Sequence, residues 1–324
     1  MDMKKLVLIC SLILFLFLLP LFVGGQYQLH VLIMTGIAVL LTSGLRLIFN
    51  SGQLSMGQGG IMTLGAYTAA LLVTKLGCST WIALGAAGAA SALLALLVGY
   101  PFMRLKGIYF ALMTVFLAEV IRLIAEEWRS VTGGSLGISN IPTPDAIAIP
   151  GLFTISFDSK VSFYYLTLIV VLFALLLFYA LERSRVGLTW FSVRESDSLA
   201  ESVGIDTTSS QVLGFCIGAF FTGLAGGLYA QYNTVITPSA LGFTFSIYIL
   251  IYMMVGGSKS FAGTILGAII LTFLPEVARP LKAYQPFIFG GVVILVMFFL
   301  PQGLASLPQR LTALFRKGGN YASH

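Results

Sequence analysis

The stretch LHVLIMTGIAVLLTSGLRLIFNSGQLSMGQGGIMTLGAYTAALLVTKL, residues 29–76, contains two apolar runs separated by a segment rich in glycine, serine and glutamine. The first run, 29–49, has the roughly 20 residues with which a helix crosses a hydrocarbon core of about 30 Å. The second run, 59–76, follows almost at once. This pattern predicts two membrane-spanning helices joined by the interruption NSGQLSMGQGG at 50–60.

The rest of the chain has the same character. Of its 324 residues, 58% are hydrophobic and only 9% are charged, and the mean hydropathy is +0.97, whereas a soluble domain carries about 25% charged residues. Dividing the sequence at polar and Gly/Pro breaks gives ten candidate spans: 6–23, 29–49, 59–76, 81–100, 107–127, 161–181, 211–232, 244–257, 261–279 and 285–300. These spans must be helices, because an unclosed strand would leave backbone groups unpaired in lipid. The predicted fold class is an all-α integral membrane protein, a single transmembrane domain over 1–324 with about ten transmembrane helices and broken or re-entrant segments.

The distribution of Lys and Arg predicts the orientation. Lys4 and Lys5 precede an apolar run that resembles a signal peptide. The run continues through Val23 without an Ala-x-Ala site, so we interpret it as an uncleaved first span. With the N-terminus inside, the ten spans leave twelve of the 18 Lys and Arg residues inside and six outside, as the positive-inside rule requires. Both termini are therefore expected in the cytoplasm.

The composition also excludes several classes of function. The net charge of +6 is not gathered into a basic run or stripe, so nucleic acid is not an expected partner. The three cysteines lie far apart without CxxC spacing, and there are only two histidines. This arrangement supports neither a disulfide framework nor a metal site. A membrane-embedded enzyme would need paired carboxylates or a His/Asp cluster inside the membrane, and the spans contain no such pattern.

Two interruptions, 50–60 and 255–267, mark a possible translocation path. Non-helical backbone at membrane depth survives only where protein or a water-filled cavity satisfies it, and paired interruptions are typical of transport paths. Gly52-x-x-Ser55 and Gly257-x-x-Ser260 have the spacing of an internal repeat. Ordinary turns or small-residue packing surfaces remain an equal alternative. The candidate path residues, all polar, are Ser51, Gln53, Ser55, Gln58, Thr63, Tyr67, Thr114, Ser258 and Ser260.

Two further polar features lie near the predicted outer side. Glu119 and Arg122 are three residues apart within a span; ionisable residues there are often functional, but the spacing favours a structural ion pair. The stretch 129–160, rich in Pro and Gly, is too polar to span. It is either a surface for an external partner or a covering loop.

SVRESDSLAESVGID, residues 192–206, is unusually polar for this chain. Ser192 and Glu195 have the spacing of a capping box, and Gly204 suits a left-handed helix end. We therefore expect one helix over 193–203 within a cytoplasmic loop at 182–210. Thr208 and Gln211 repeat the capping-box spacing, with Asp206 adding favourable charge at the start of the next span. The short helix is either a docking surface or a solvated linker.

The same stretch resembles the cytoplasmic loop of the permease subunits of branched-chain amino acid ABC importers. The likeness lies in the R-E-x-[DE]-x-x-A-x-x-x-G-[IV] pattern, matched at Arg194, Glu195, Asp197, Ala200, Gly204 and Ile205, with Leu199 where alanine is common. Six other segments agree in the same order: GQLSMGQGGIMTLGAYTAALL, LKGIYFALMTVFLAEVIRLI, TGGSLGISNIP, FFTGLAGGLYA, GGSKSFAGTILGA and FLPQGL. The run with Gly107 and Tyr109 looks more like the LivM-type than the LivH-type permease. The resemblance covers about residues 30–304.

The resemblance implies an importer in the bacterial or archaeal inner membrane. Its components would be a LivM-type chain, a LivH-type second permease, two ATPase subunits and a periplasmic or lipid-anchored solute-binding protein. The helix between spans would be the coupling helix that docks on an ATPase, with Glu201 beside the matched residues. The chain itself would be non-catalytic and hold no cofactor, since its glycine-rich loops lack the Gly-Lys-Ser/Thr ending of a P-loop. ATP and Mg would be bound by the partner ATPase subunits.

Two alternatives remain open from the sequence. Urea and short-amide importers use closely similar permeases, and nothing in the sequence senses the size of the solute. An ion-coupled secondary transporter would also have about ten spans with broken helices, but it would be expected to place carboxylates near mid-membrane. Most acidic residues here lie near span ends or in loops.

Overall fold

The computed structural model describes residues 3–22, 25–149, 153–157, 159–300 and 302–306. Thirteen α-helices are numbered in chain order across these residues: α1 Met3–Phe22, α2 Gln26–Asn50, α3 Gln58–Thr74, α4 Thr80–Met103, α5 Ile108–Glu127, α6 Arg129–Thr132, α7 Lys160–Arg183, α8 Arg185–Glu195, α9 Asp197–Ser202, α10 Thr207–Asn233, α11 Phe243–Gly256, α12 Phe261–Val277 and α13 Gln285–Phe299. Each of the ten predicted apolar runs overlaps one of the longer helices. The C-terminal residues 307–324, predicted to be cytoplasmic, lie outside the described residues.

Six helical segments are long and apolar enough to cross a membrane. They are Gln26–Asn50, Thr80–Met103, Ile108–Glu127, Lys160–Arg183, Thr207–Asn233 and Pro238–Gly256. The last combines a 3₁₀ turn at Pro238–Leu241 with α11. Shorter apolar helices, including α12 and α13, accompany them. The protein is therefore a helical, multi-pass membrane protein.

The two ends of the bundle can be told apart by their contacts. At one end, the last turn of α2 meets the last turn of α7 and the residues after α11, because Arg46 contacts both Glu182 and the carbonyl of Ser258. We call this the α8 end. At the opposite end, the start of α4 meets the end of α10, where Gln231 donates to the Thr80 carbonyl. The long helices thus run between two faces, as helices that cross a membrane must.

The centre of the bundle is formed by α2 and α10. The most apolar part of α2 is 83% buried, against 28% for α5, and α10 packs on α2, α3 and α4. Glycines permit this close approach: a Cβ on Gly65 of α3 would lie 2.3 Å from the carbonyl oxygen of Gly223 in α10. Lipid tails are as apolar as leucine, so helices in a membrane associate through such close packing.

The predicted external loop contains local structure rather than a span. It includes α6, a 3₁₀ turn at Gly134–Leu136 and a small antiparallel β-hairpin that pairs β1, Ile147–Ile149, with β2, Phe153–Ile155. An isolated bridge joins Ile138 to Ile236 beyond α10. The protein is therefore all-α only in its membrane part.

Asp145 fastens this loop to the start of α4. Its Oδ2 accepts hydrogen bonds from the Thr80 amide at 2.8 Å and from Ser79 Oγ at 2.9 Å, while its own amide donates to Thr80 Oγ1. The carboxylate therefore caps backbone N–H groups that helix geometry leaves without partners. These hydrogen bonds, led by the Thr80 amide, hold the pKa of Asp145 below its usual value.

Replacing Asp145 with alanine is expected to lower the Tm of the detergent-solubilised protein by about 2–4 °C, the effect of losing one helix cap. Because the pKa is depressed in the folded state, the advantage of the wild type should be complete above the unfolded value of about 3.9. It should shrink as the pH falls from there through the folded pKa. Thermal unfolding of both proteins between pH 7 and 3 tests this expectation, and a Tm difference that grows on acidification would contradict it.

Candidate functional site

The first interruption is non-helical and buried, as predicted. Residues 51–57 connect α2 to α3 without helical structure, and Gly52 has a left-handed φ of +98°. Seven of the nine candidate path residues are buried: Ser51, Gln53, Ser55, Gln58, Thr63, Tyr67 and Thr114. The structure therefore brings irregular backbone and polar side chains into the interior of the chain.

Neighbouring helices satisfy the backbone of this interruption. The amide of Met56 donates to Thr114 Oγ1 of α5 at 3.0 Å, and the amide of Gly59 donates to Ser246 Oγ of α11 at 2.8 Å. Ser246 was not among the predicted residues; the sequence marks it only as an isolated serine in an apolar run. This burial in protein is the condition under which broken helices survive at membrane depth.

Four buried side-chain polar atoms in the described residues have no hydrogen-bond partner within the chain: Gln53 Oε1, Gln58 Nε2, Tyr67 OH and Gln231 Oε1. Three of them belong to predicted path residues. Gln58 also accepts a hydrogen bond from Thr222 of α10 through its Oε1. Because each unpaired buried polar group costs about 1–3 kcal/mol, such atoms mark places where water or a polar solute would be stabilised.

The second interruption is shorter than the first. It comprises only residues 257–260, between α11 and α12, and Gly257 has a φ of +106°. Ser260 caps α12 by accepting from the Gly263 amide, and the carbonyl of Ser258 accepts from Arg46 Nε. Both serines are half-buried at the α8 end. In the described residues, no hydrogen bond joins them to the seven buried candidates.

A buried ion pair that the sequence analysis did not predict lies at the α8 end. Arg46 of α2 pairs with Glu182 of α7, and their side chains are 7% and 19% exposed. Glu182 Oε1 also accepts from Asn50 Nδ2 at 3.1 Å, and Asn50 Oδ1 accepts from Arg194 Nη1 at 2.9 Å. The sequence did contain an indication of this pair, because Arg46 is an ionisable residue in a long apolar run. It entered the sequence analysis only as a positive charge on the inner side.

The polar segment is two helices rather than the single predicted helix. Ser184 caps α8, accepting from the Gly187 amide, and α8 runs through Ser192 to Glu195. Ser192 therefore does not begin a helix; its Oγ donates to the Leu188 carbonyl within α8. The break falls at Ser196, whose extended backbone and side-chain oxygen cap α9. The predicted capping box was wrong, because Ser192 and Glu195 both lie in the last turn of α8, where the same spacing occurs without a cap.

The α8–α9 segment, residues 185–202, is held against the bundle by its inward face. Trp190, Val193 and Ala200 are buried, and Trp190 Nε1 donates to the Ser210 carbonyl of α10 at 2.9 Å. Asp197 lies 3.3 Å from Lys106 Nζ and accepts from Gln211 Nε2. The segment is therefore anchored to several elements of the membrane domain.

Arg194 and Asp197 are engaged by the membrane domain rather than free for solvent or a partner. Arg194 turns inward over the Phe49 ring, 4.3 Å from its centroid, as well as binding Asn50. Burial, and then the positive charge of Arg46, lower the pKa of Arg194 from its usual value. Glu201 is exposed, although its Oε1 accepts from Thr207 Oγ1, and Glu195 is exposed.

Gly204 ends α9 as predicted. Its φ is +85°, and the amides of Gly204 and Ile205 donate to the carbonyls of Glu201 and Ala200. This is the hydrogen-bond pattern of a Schellman motif. The next helix begins differently from the prediction: Asp206 caps α10 by accepting from the Ser209 amide, not Thr208. Hydrogen bonds from Ser209 lower the pKa of Asp206, as expected for a carboxylate at a helix start.

The structural ion pair expected in α5 is confirmed. Arg122 Nη2 lies 2.6 Å from Glu119 Oε1, and Arg122 Nη1 also pairs with Glu126 one turn further on. The two carboxylates are satisfied by the same guanidinium.

The structure is that of a helical, multi-pass membrane protein in which a polar segment, α8–α9, lies between the long helices α7 and α10. The sequence matches, over residues 27–301, the family described as "Branched-chain amino acid transport system / permease component". It is 32% identical over 316 residues to the high-affinity branched-chain amino acid transport system permease protein LivM of Salmonella typhimurium, covering 92% of this chain and 74% of that protein. The chain belongs to this permease family, as a LivM-type permease subunit of an ABC importer.

Two further relatives share lower identity with the chain. The corresponding LivH protein of Escherichia coli is 22% identical over 280 residues, covering 80% of this chain and 87% of that protein. The guanosine ABC transporter permease protein NupQ of Bacillus subtilis is 28% identical over 200 residues, covering 56% of this chain and 59% of that protein. No solved structure matches the chain significantly.

Proposed function

We propose that this chain forms half of the translocation path for branched-chain or other hydrophobic amino acids, paired with a LivH-type second permease in a bacterial or archaeal inner membrane. Two ATPase subunits bind ATP and Mg on the cytoplasmic side, and a periplasmic or lipid-anchored binding protein delivers the solute. In this arrangement the chain is non-catalytic, crosses the membrane about ten times and has both termini in the cytoplasm. The similarity to LivM over most of the chain supports the choice of solute.

The observation that carries the coupling role is the outward face of the α8–α9 segment. Leu188, Phe191, Leu199 and Val203 are 61–76% exposed, and the exposed carboxylates of Glu195 and Glu201 lie on the same two helices. An exposed face with both apolar and acidic side chains, at the end of two long helices, is better suited to contact with a protein partner than to exposure to water. We assign this face, within the loop at 182–210, to ATPase docking, with Arg194, Asp197, Ala200, Gly204 and Ile205 holding its shape.

We assign the path to the buried polar residues around the first interruption. A zwitterionic amino acid leaving water needs replacement hydrogen bonds. The unpartnered atoms of Gln53, Gln58 and Tyr67 supply them when the helices part. Ser51, Ser55 and Thr63 add hydroxyl groups nearby in the chain, and Thr114 adds one from α5 beside Met56. Ser258 and Ser260 belong to the α8-end exit.

The decisive experiment is co-purification of the tagged chain from its native membrane in mild detergent, followed by reconstitution. A second permease, two P-loop ATPases and ATP-driven uptake of leucine, isoleucine or valine support the proposal. ATP-driven uptake of urea or guanosine instead would change the proposed solute but would still support an ABC importer. A chain that is purified alone and moves solute under an ion gradient would contradict the proposal.

Replacing both Glu195 and Glu201 with lysine is expected to weaken association with the ATPase subunits while membrane insertion stays intact. The change reverses the charge of the docking face, and like charges placed across an interface cost several kcal/mol. Co-purification of the ATPases, quantified against the wild type, is the measurement. Glu127→Lys, an exposed site at the opposite end, is the control. ATPase recovery equal to that of the wild type would remove the docking role.

Replacing Gly204 with valine is expected to uncouple ATP hydrolysis from uptake. A Cβ there meets nothing within 4 Å, so the effect is purely conformational: a β-branched residue is strained at positive φ by roughly 1–2 kcal/mol. Gly204→Asn is the matched control, since asparagine tolerates the left-handed region. Uptake per ATP hydrolysed should fall in the valine variant and be retained in the asparagine variant. Equal coupling in both would show that the bend is not needed.

A further inference from the structure

A continuous series of polar contacts connects α8 to the break between α11 and α12. Arg194 Nη1 of α8 donates to Asn50 Oδ1 at 2.9 Å, and Asn50 Nδ2 donates to Glu182 Oε1 at 3.1 Å. Glu182 pairs with Arg46, whose Nε donates to the carbonyl of Ser258 at 3.2 Å. Each side chain in the series therefore uses one group toward α8 and another toward the break.

The ion pair at the centre of the series is largely buried, with the Arg46 and Glu182 side chains 7% and 19% exposed. It lines a cleft of about 370 Å³ at the α8 end, together with Trp190 and Lys259. The Arg46 guanidinium also lies over the Phe261 ring at 5.4 Å from its centroid. Removing a partner from a buried ion pair is costly, and hydrogen bonds in such surroundings polarise one another. The series is therefore expected to move as a unit rather than to break contact by contact.

Two residues of the series lie beside a junction between helices. Ser258 follows Gly257, which has a φ of +106° and ends α11, so no helix holds the Ser258 carbonyl in place. Glu182, in the middle of the series, lies two residues before Ser184, the cap of α8. A shift of α8 relative to α7 would therefore act on the series from two directions, through Arg194 and through Glu182.

We propose that Arg46, Asn50 and Glu182 are positioning residues that transmit movement of the α8–α9 segment to the break at 257–260. This inference rests on the ATP-coupled function proposed above. When the ATPases dock and close, they shift α8. The series transmits this shift to Ser258, and the start of α12 moves with it. The same contacts hold the break closed when α8 is at rest.

Two substitutions each cut one connection and leave the buried charges paired. Asn50→Ala removes the connection between Arg194 and Glu182. Arg46→Lys keeps a positive charge beside Glu182, but a compact ammonium does not reproduce the fork that also reaches the Ser258 carbonyl. In the reconstituted complex, ATP hydrolysis should remain close to that of the wild type. Solute transported per ATP should fall about tenfold in each variant, as expected for the loss of a coupling free energy between sites.

The same chemical changes elsewhere in the chain serve as controls. Arg104→Lys changes an exposed arginine near the α8 end, and Asn233→Ala changes an asparagine at the opposite end. Both should transport as the wild type does. The double variant Asn50→Ala/Arg46→Lys should lose no more coupling than the single variant that loses more of it. Both substitutions interrupt the same series, so the second adds nothing to the first.

Three results would overturn the inference while leaving the importer function standing. These are unchanged transport per ATP in both variants, a double variant whose loss is the product of the single losses, and loss of ATPase subunits from the variant complexes. A wild-type complex without ATP-driven uptake would instead remove the proposed function on which the inference rests.

Discussion

Replacing Gly65 with valine should abolish the folded state of this permease. A Cβ at this position would lie 2.3 Å from the Gly223 carbonyl oxygen and 2.4 Å from its Cα. Those atoms belong to backbone, so no side-chain rotation relieves the clash, and α3 and α10 would have to separate. Overpacking a core typically costs 1–3 kcal/mol and occasionally more, and we expect at least about 3 kcal/mol here, because the contact lies where three central helices meet.

The experiment compares the recovery of monodisperse protein by size-exclusion chromatography in detergent. Gly85→Val is the matched control, since it places the same β-branched residue in the helix α4 where a Cβ meets nothing within 4 Å. Both variants pay the same small cost in helix propensity, so the difference between them isolates the helix contact. Equal recovery of Gly65→Val and Gly85→Val would show that α3 and α10 do not approach this closely.

Replacing Glu182 with leucine should destabilise the protein by about 3–5 kcal/mol, because it leaves Arg46 buried without a compensating charge. The Arg46 side chain is only 7% exposed, so water replaces little of the lost interaction. Asn50 also loses the acceptor of its Nδ2. The expected result is a large loss of Tm in detergent.

A second substitution distinguishes ionic destabilisation from loss of packing. Arg46→Met/Glu182→Leu removes both charges, and an ion pair replaced by apolar residues is often neutral or stabilising. The double variant should therefore recover most of the stability while its transport remains uncoupled. Glu127→Leu, at an exposed carboxylate of α5, should leave the Tm unchanged. A double variant as unstable as Glu182→Leu would mean that the two side chains do not form one buried pair.

The apolar runs predicted the long helices well because the requirement is local. A run of apolar residues in lipid must be helical to pair its own backbone. The predicted span 29–49 accordingly corresponds to the helix Gln26–Asn50, and the span 211–232 corresponds to Thr207–Asn233. Short polar spacings were less informative. Ser192 and Thr208 both matched a capping box, yet the caps are Ser184, Ser196 and Asp206, because the same residue spacing also occurs inside helices.

Part of the candidate site was also readable from local pattern. Glycine at positive φ is a local property, so Gly52, Gly204 and Gly257 could be recognised as break points. Gln53 and Gln58 lie between two apolar runs and Tyr67 lies within one, and all three are buried. The inward turn of Arg194 toward Asn50 did not follow, because it depends on the distance between α8 and the end of α2.

The sequence by itself determined that this protein is a helical membrane permease, where its long apolar helices lie and to which family it belongs, because hydrophobic length and local motifs are properties of contiguous residues. Only the tertiary structure decided that Arg46 pairs with Glu182, residues separated by 136 positions, and that both contact the elements next to α8. Pairing of this kind depends on which helix ends meet in space. That is set by the close packing of α2, α3, α4 and α10, which no single segment of the sequence encodes.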